Sequence, residues 1–240
     1  MVFFRSFLFQ VIYLVPTLIF AMTGLGCLVL PQRFLIVYAR FWLRCTFFLL
    51  KHVQGLDYRV EGVENLPKGP FIVASKHQSV FETFVYPLLF DHPLIILKKE
   101  LMYIPFWGWL LRKYEAIPIN RSKPKEALKI ILKSAEKGKA TNRPLLIFPE
   151  GTRTKPGVSI TYQSGIGILY EHLNIPVVPI ALNTGFFWGR RRFTKRPGTA
   201  TIKILKPIQP GLNKKIFMEQ LHQLIESESL RLFKMLESKV

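Results

Sequence analysis

The stretch Phe71-Ile72-Val73-Ala74-Ser75-Lys76-His77-Gln78-Ser79-Val80-Phe81-Glu82 decides how this chain is read. Its first four residues are apolar and β-prone, which predicts a buried strand over Phe71 to Ala74. A polar run follows, then apolar residues at helical spacing, so a helix is expected over Val80 to Leu89. Strand, loop and helix in that order form the building unit of α/β domains, which gather their sites at strand ends. His77 stands at that strand end. A histidine serves as a general base near neutral pH, and works best when a carboxylate fixes its tautomer. Glu82 is the carboxylate within reach. On an ideal helix their spacing turns the two side chains roughly 140° apart. They meet only if His77 sits in the loop and Glu82 in the first helical turn. The same residues also read as a capping box, with Ser79 as N-cap and Glu82 reaching back. The two readings coexist, because a carboxylate has two oxygens.

Outward from this stretch the same texture continues. Further strands are expected at Tyr58 to Glu61, Leu94 to Leu97, Ala116 to Ile119, Leu145 to Phe148, Val177 to Ala181 and Thr201 to Leu205. Further helices are expected at Phe106 to Lys113, Pro124 to Lys137, Gly165 to His172 and Lys214 to Leu236. The alternation predicts an α/β fold, with a mixed, largely parallel sheet flanked by helices. A chain of 240 residues holds one such domain. The texture changes near His52 to Leu56. This divides the chain into membrane-anchoring helices over 1–54 and an α/β domain over 55–240.

The first of these segments has no charge from Ser6 to Gln32, a run long enough to span a bilayer. Pro16, Gly24 and Gly26 are expected to weaken or kink a single straight helix there. The absence of a small-residue cleavage site favours a retained anchor over a cleaved signal. A second apolar run, Phe34 to Val53, carries Arg40 and Arg44 on one helical face. It reads as a helix in the membrane interface with both cations at the headgroups, and together the two runs form a membrane-embedded helical pair. Tyr103, Phe106, Trp107 and Trp109, flanked by Lys98, Lys99, Arg112 and Lys113, read either as a further lipid contact or as an ordinary core helix with a solvated edge.

Composition narrows the partners. The net charge is +19, from 34 Lys and Arg against 15 Asp and Glu. Such an excess calls for an anionic partner: nucleic acid, a membrane surface or a phosphorylated substrate. The apolar N-terminus, 49% hydrophobic residues overall and a mean hydropathy of +0.22 favour an anionic membrane surface over nucleic acid. Cys27 and Cys45 both lie in the apolar region, so neither a disulfide framework nor a cysteine metal site is expected.

Three other strand ends carry chemistry. Phe148-Pro149-Glu150-Gly151-Thr152-Arg153 follows an apolar strand. Gly151 permits a tight turn and close ligand approach, and Arg153 offers a planar fork that matches phosphate. Glu150 either holds Arg153 or meets a substrate hydroxyl; an ordinary turn with a surface ion pair is the alternative. Ile117-Pro118-Ile119-Asn120-Arg121 ends in a second arginine, which either converges with Arg153 on one phosphate or is a solvated strand end. Val177-Val178-Pro179-Ile180-Ala181 alone is a buried strand.

Taken in order, these four segments resemble the motifs of the glycerolipid acyltransferase family, in particular its 1-acyl-glycerol-3-phosphate branch. Its first motif normally ends in aspartate, and Glu82 departs from that by one methylene. The N-terminal helices also resemble that family's membrane-docking helices. The resemblance implies that His77, oriented by Glu82, deprotonates a lysophospholipid hydroxyl. Attack on the thioester of acyl-CoA or acyl carrier protein then yields phosphatidic acid. It further implies that Arg121 and Arg153, with Glu150, Gly151 and Thr152, form the acceptor phosphate site. No metal or bound cofactor is implied. The membrane lipid substrate and the donor place the enzyme on the cell (inner) membrane, with its site facing the cytoplasm. Other acceptors, such as glycerol-3-phosphate, stay open. So do a hydrolase using Ser75 or Ser79, a non-catalytic membrane scaffold, and a nucleic-acid binder suggested by charge alone.

Overall fold

The computed structural model describes residues 2–238. The strands are β1 (Leu56–Glu61), β2 (Ile72–Ser75), β3 (Leu94–Lys98), β4 (Ile117–Ile119), β5 (Leu145–Ile147), β6 (Val177–Leu182) and β7 (Gly198–Ile204). The helices are α1 (Val2–Thr23), α2 (Gln32–Leu49), α3 (Phe81–Leu89), α4 (Trp107–Lys113), α5 (Pro124–Ala140), α6 (Gly165–Leu173), α7 (Thr184–Phe187) and α8 (Lys214–Glu237). The strands form one sheet in the order β1-β7-β6-β2-β5-β3-β4. Only the β6–β7 pairing is antiparallel; β1 is parallel to β7, and β6, β2, β5, β3 and β4 all run parallel. The sheet is therefore mixed and mostly parallel.

Parallel strands covered on both faces read as continuous apolar runs. β2 and β6 do so, and every residue in them is buried. Alternate residues feed two cores. Ile72 and Ala74 meet Ile131 of α5, Leu169 of α6 and Leu221 of α8 on one face. Val73, on the other, joins Phe81 and Val85 of α3 with Phe47 of α2 and Phe9 of α1. Because these strands are parallel, the exits of β2, β4 and β5 lie along one edge of the sheet. That shared edge brings His77, Arg121 and the 148–153 segment together, although the sequence holds them far apart.

The N-terminal helices are part of the second core. Phe9 has no exposed surface. The opposite side of α1 exposes Phe3, Phe7, Val11, Leu14, Leu18 and Met22, the spacing of a single apolar stripe. Val2–Leu28 is the one stretch among the described residues long and apolar enough to cross a membrane. α1 runs through Pro16 as helix and gives way to a 3-10 turn only at Gly24–Leu28. Arg40 departs from expectation. Rather than reaching toward headgroups, it donates to the carbonyls of Pro87 and Phe90 at 2.9 and 3.0 Å and pairs with Asp91. It thereby satisfies orphan carbonyls at the end of α3 and binds α2 to it. Arg44 is exposed.

Some boundaries differ from the sequence reading. β1 and β7 begin earlier, at Leu56 and Gly198, because each lends the other its ladder from that point. A 3-10 turn over Lys99–Tyr103 precedes α4. It passes so close to Gly108 that a Cβ there would lie 2.0 Å from the Met102 carbonyl oxygen. Leu101, Tyr103, Ile104 and Trp109 are exposed beside it.

Candidate active site

β2 delivers His77 into the loop ahead of α3, and Glu82 occupies the first turn of that helix. Nδ1 of His77 and Oε1 of Glu82 are 2.9 Å apart. The same oxygen accepts the backbone N–H groups of Gln78 at 2.8 Å and Ser79 at 2.7 Å, while Oε2 accepts the Thr184 hydroxyl at 2.7 Å. Glu82 thus pins the loop entering the helix and holds the histidine at once, and its side chain has no exposed surface. The N-cap position is Val80 rather than Ser79 and has no side-chain cap. A carboxylate beside Nδ1 fixes the tautomer that carries its proton there, leaving the Nε2 lone pair to accept one. The imidazole stacks on Phe148, with ring centroids 3.9 Å apart and planes at 19°.

Glu150 is placed differently from the sequence reading. It does not hold Arg153: its side chain is fully buried and its oxygens are taken by other donors, although the residue borders the cavity that opens above Gly151. Oε2 accepts the His77 backbone N–H at 2.7 Å, and Oε1 accepts Lys76 Nζ at 2.7 Å and the Thr154 hydroxyl at 2.8 Å. The Thr154 N–H donates in turn to the His77 carbonyl at 2.8 Å. The two loops are thus sewn together around the backbone of His77. Lys76, 1% exposed, completes its donors on the Val158 carbonyl at 3.0 Å and on Glu226 of α8 at 2.8 Å. A buried ammonium in such a site requires these compensating acceptors. Burial first, then the Glu226 carboxylate, pushes the Tyr162 hydroxyl up in pKa, and that hydroxyl donates to Glu226 at 2.8 Å.

Gly151 turns in the left-handed region at φ 66°, with its N–H on the Phe148 carbonyl at 2.9 Å. A cavity of about 560 Å³ opens above it, lined by His77, Arg121, Thr152, Gly151 and the apolar Leu128 and Ile166. Arg121 is exposed at its rim and Arg153 is half-buried nearby. Burial lowers the Arg153 pKa, Arg190 and Arg121 lower it further, and Glu82 acts in the opposite sense. The positive charge gathered here has no ion-pair partner on Arg121, Arg153 or Arg190 among the described residues. An unpaired cluster of guanidinium groups beside a histidine suits an anionic ligand with a hydroxyl to deprotonate.

Neither serine is disposed as a nucleophile. Ser75 Oγ donates to the Lys76 carbonyl at 2.8 Å and pairs with the Tyr86 hydroxyl; Ser79 Oγ accepts the Phe81 N–H at 3.1 Å. Both are buried. Thr184, Arg190 and Glu226 were not singled out from sequence, because they reach the site only through tertiary contacts. The one available signal was that Thr184 and Arg190 follow the fourth motif strand.

A family model described as acyltransferase matches residues 57–183. A 1-acyl-sn-glycerol-3-phosphate acyltransferase of Pseudomonas aeruginosa is 40% identical over 163 residues, covering 68% of this chain and 63% of that protein. One of Saccharomyces cerevisiae is 34% identical over 169 residues, covering 69% and 56%. The matched region thus spans less than two thirds of these curated relatives. The crystal structure of the 1-acyl-sn-glycerophosphate (LPA) acyltransferase from Thermotoga maritima aligns with a TM-score of 0.80 over 97% of this chain and 98% of that one, at 20% identity. That likeness shows the fold.

Proposed function

This chain belongs to the acyltransferase family, and from that premise we propose that it moves a fatty acyl group from a thioester onto the free sn-2 hydroxyl of 1-acyl-glycerol 3-phosphate. The observation that carries the reading is the Nδ1–Glu82 contact of His77 at a cavity that the unpaired Arg121 also lines. In this reading Nε2 of His77 takes the proton from the acceptor hydroxyl. The oxygen attacks the thioester carbonyl carbon, a C–O bond forms, the C–S bond breaks, and the departing sulfur takes the proton back from His77. Glu82 holds the tautomer and stabilises the imidazolium. Arg121 and Arg153 take the acceptor phosphate, and Gly151 and Thr152 line its approach. Glu150 supports His77 from behind and does not touch the phosphate. The product is phosphatidic acid.

The acyl donor is acyl-CoA or acyl carrier protein, and the acceptor lies in a membrane. The exposed stripe of α1 supports docking of that helix into lipid, with its other side held in the core. The +19 charge suits an anionic membrane surface and acidic donors. A cytoplasmic face of the cell membrane follows from where such donors are found. A second cavity, mostly apolar in lining and of about 160 Å³, lies among α2, α3 and α4, beside Trp42, Phe84 and Trp107. Its chemistry suits a hydrocarbon chain.

The test is transfer of radiolabel from acyl-CoA and from acyl carrier protein by the purified protein in vesicles containing 1-acyl-glycerol 3-phosphate. Labelled phosphatidic acid is the expected product. Free fatty acid alone would mean hydrolysis, and no product from either donor would overturn the reading.

A further inference from the structure

We propose that Arg190 is the third arginine of the acceptor site and makes that site selective for a phosphomonoester dianion over a phosphodiester monoanion; this rests on the function proposed above. Arg190 lies outside the 57–183 segment that the family model matches.

Its position carries the inference. Arg190 Nη1 donates to the Arg153 carbonyl at 3.2 Å and approaches Thr152 Oγ1 at 3.4 Å. It therefore leans on the segment that lines the cavity with His77. Neither its Nε nor its Nη2 has a hydrogen-bond partner among the described residues. Arg153 feels the charge of Arg121 as well as that of Arg190. Glu82 offsets part of this charge on Arg153. None of the three arginines has an ion-pair partner within contact among the described residues, so an anion joining them relieves their mutual repulsion.

The loop bearing Arg190 is fixed at both ends. It begins after α7, where the Trp188 N–H donates to the Thr184 carbonyl at 2.9 Å. Thr184 is the residue whose hydroxyl holds Glu82. A tight turn closes through the Arg192 N–H to the Gly189 carbonyl at 3.1 Å, with Arg191 at φ 58°. A non-glycine residue there is strained. Lys195 anchors the far end: its N–H donates to Ser6 Oγ at 3.0 Å, and its Nζ lies 5.0 Å from the Phe9 ring and 4.7 Å from that of Trp188. The loop thus rests on α1, and Phe193 meets Phe3 at the start of that helix, 5.3 Å between centroids. Arg190 is held between the proposed phosphate site and the helix proposed to dock in lipid.

A phosphomonoester carries a charge of about −1.5 to −2 near neutral pH, whereas a phosphodiester carries one negative charge. Two guanidinium groups already suffice for a monoanion. A third adds most to a dianion with three terminal oxygens, each able to accept a charge-assisted hydrogen bond.

Binding measured in the absence of turnover tests this apart from the reaction. The His77→Ala protein in vesicles is titrated with 1-acyl-glycerol 3-phosphate and with its methyl phosphodiester, with and without Arg190→Ala. We expect Arg190→Ala to weaken monoester binding by roughly 10- to 100-fold, to weaken the diester far less, and to leave acyl-CoA binding unchanged. Arg190→Lys should recover part of the loss, because it restores charge but not the fork. Equal losses for both esters, a loss confined to acyl-CoA, or no change would each overturn the proposal. Absence of product from the wild type, with the monoester still bound through Arg190, would instead overturn the proposed reaction.

Discussion

Glu82 and His77 share one contact, Oε1 to Nδ1 at 2.9 Å, made by an oxygen that also pins the loop entering the helix that carries it. Local folding and the proposed chemistry therefore depend on the same atom. Glu82→Gln keeps the shape and can still accept the Gln78, Ser79 and Nδ1 protons through its amide oxygen, but it removes the charge that stabilises the imidazolium. Its kcat should fall by roughly 10²- to 10⁴-fold with little change in donor KM, as steady-state kinetics would report. A loss below tenfold would remove Glu82 from the mechanism.

Thr184 Oγ1 holds the other oxygen of Glu82 at 2.7 Å. Thr184→Val keeps the volume and deletes that bond, a loss of about 1 kcal/mol. That corresponds to roughly a fivefold fall in kcat, with KM for both substrates retained. A changed acceptor KM would instead mean that Thr184 touches substrate.

Lys76 is a stability determinant. Lys76→Met leaves the Glu150 and Glu226 carboxylates buried without their shared cation. The expected loss is about 3–5 kcal/mol, the range for breaking a buried pair from one side. Urea unfolding in detergent measures it. Pairing the change with Glu226→Gln should recover part of the loss, and strict additivity would contradict the coupling.

The fold and the site were legible to different depths. β2, β5 and β6 announced themselves because burial on both faces leaves an unbroken apolar run, and their exits brought the motif residues with them. The pairing of His77 with Glu82 was readable because five residues cross a single loop. That Glu150 pairs with Lys76 rather than with Arg153 was not legible, because Lys76 stands 74 positions earlier and no spacing rule spans that distance. Arg40 was misread for a related reason: an arginine in an apolar helix suggests headgroups, whereas this one meets the carbonyl end of α3. α7 is four residues long, too short for any periodicity to register.

Acid should weaken the chain through Glu115. The hydrogen bond to Lys137, followed by that to Arg143, holds its carboxyl down to about 2 from 4.5. Between those values the unfolded state binds more protons than the folded one, so stability falls as pH drops. This contribution is complete above about pH 4.5 and fades toward about pH 2. Because the group is partly exposed, the effect is modest. Urea midpoints at about pH 6 and about pH 3 should differ less in Glu115→Gln than in the wild type. Equal pH dependence in both proteins would contradict this.

The exposed stripe of α1 should govern membrane binding. Leu14→Glu with Leu18→Glu places charge where both side chains face outward. Vesicle flotation should then fall sharply while the thermal transition stays put. Unchanged flotation would move the membrane contact away from α1.

The most direct test of the proposed mechanism is the initial rate of acyl transfer to 1-acyl-glycerol 3-phosphate by the wild type and by His77→Ala, in the same vesicles and with matched folding. The expected result is phosphatidic acid from the wild type and a rate at least about a hundredfold lower in the variant. Equal rates would contradict the assignment of His77 as the base and, with it, the proposed mechanism.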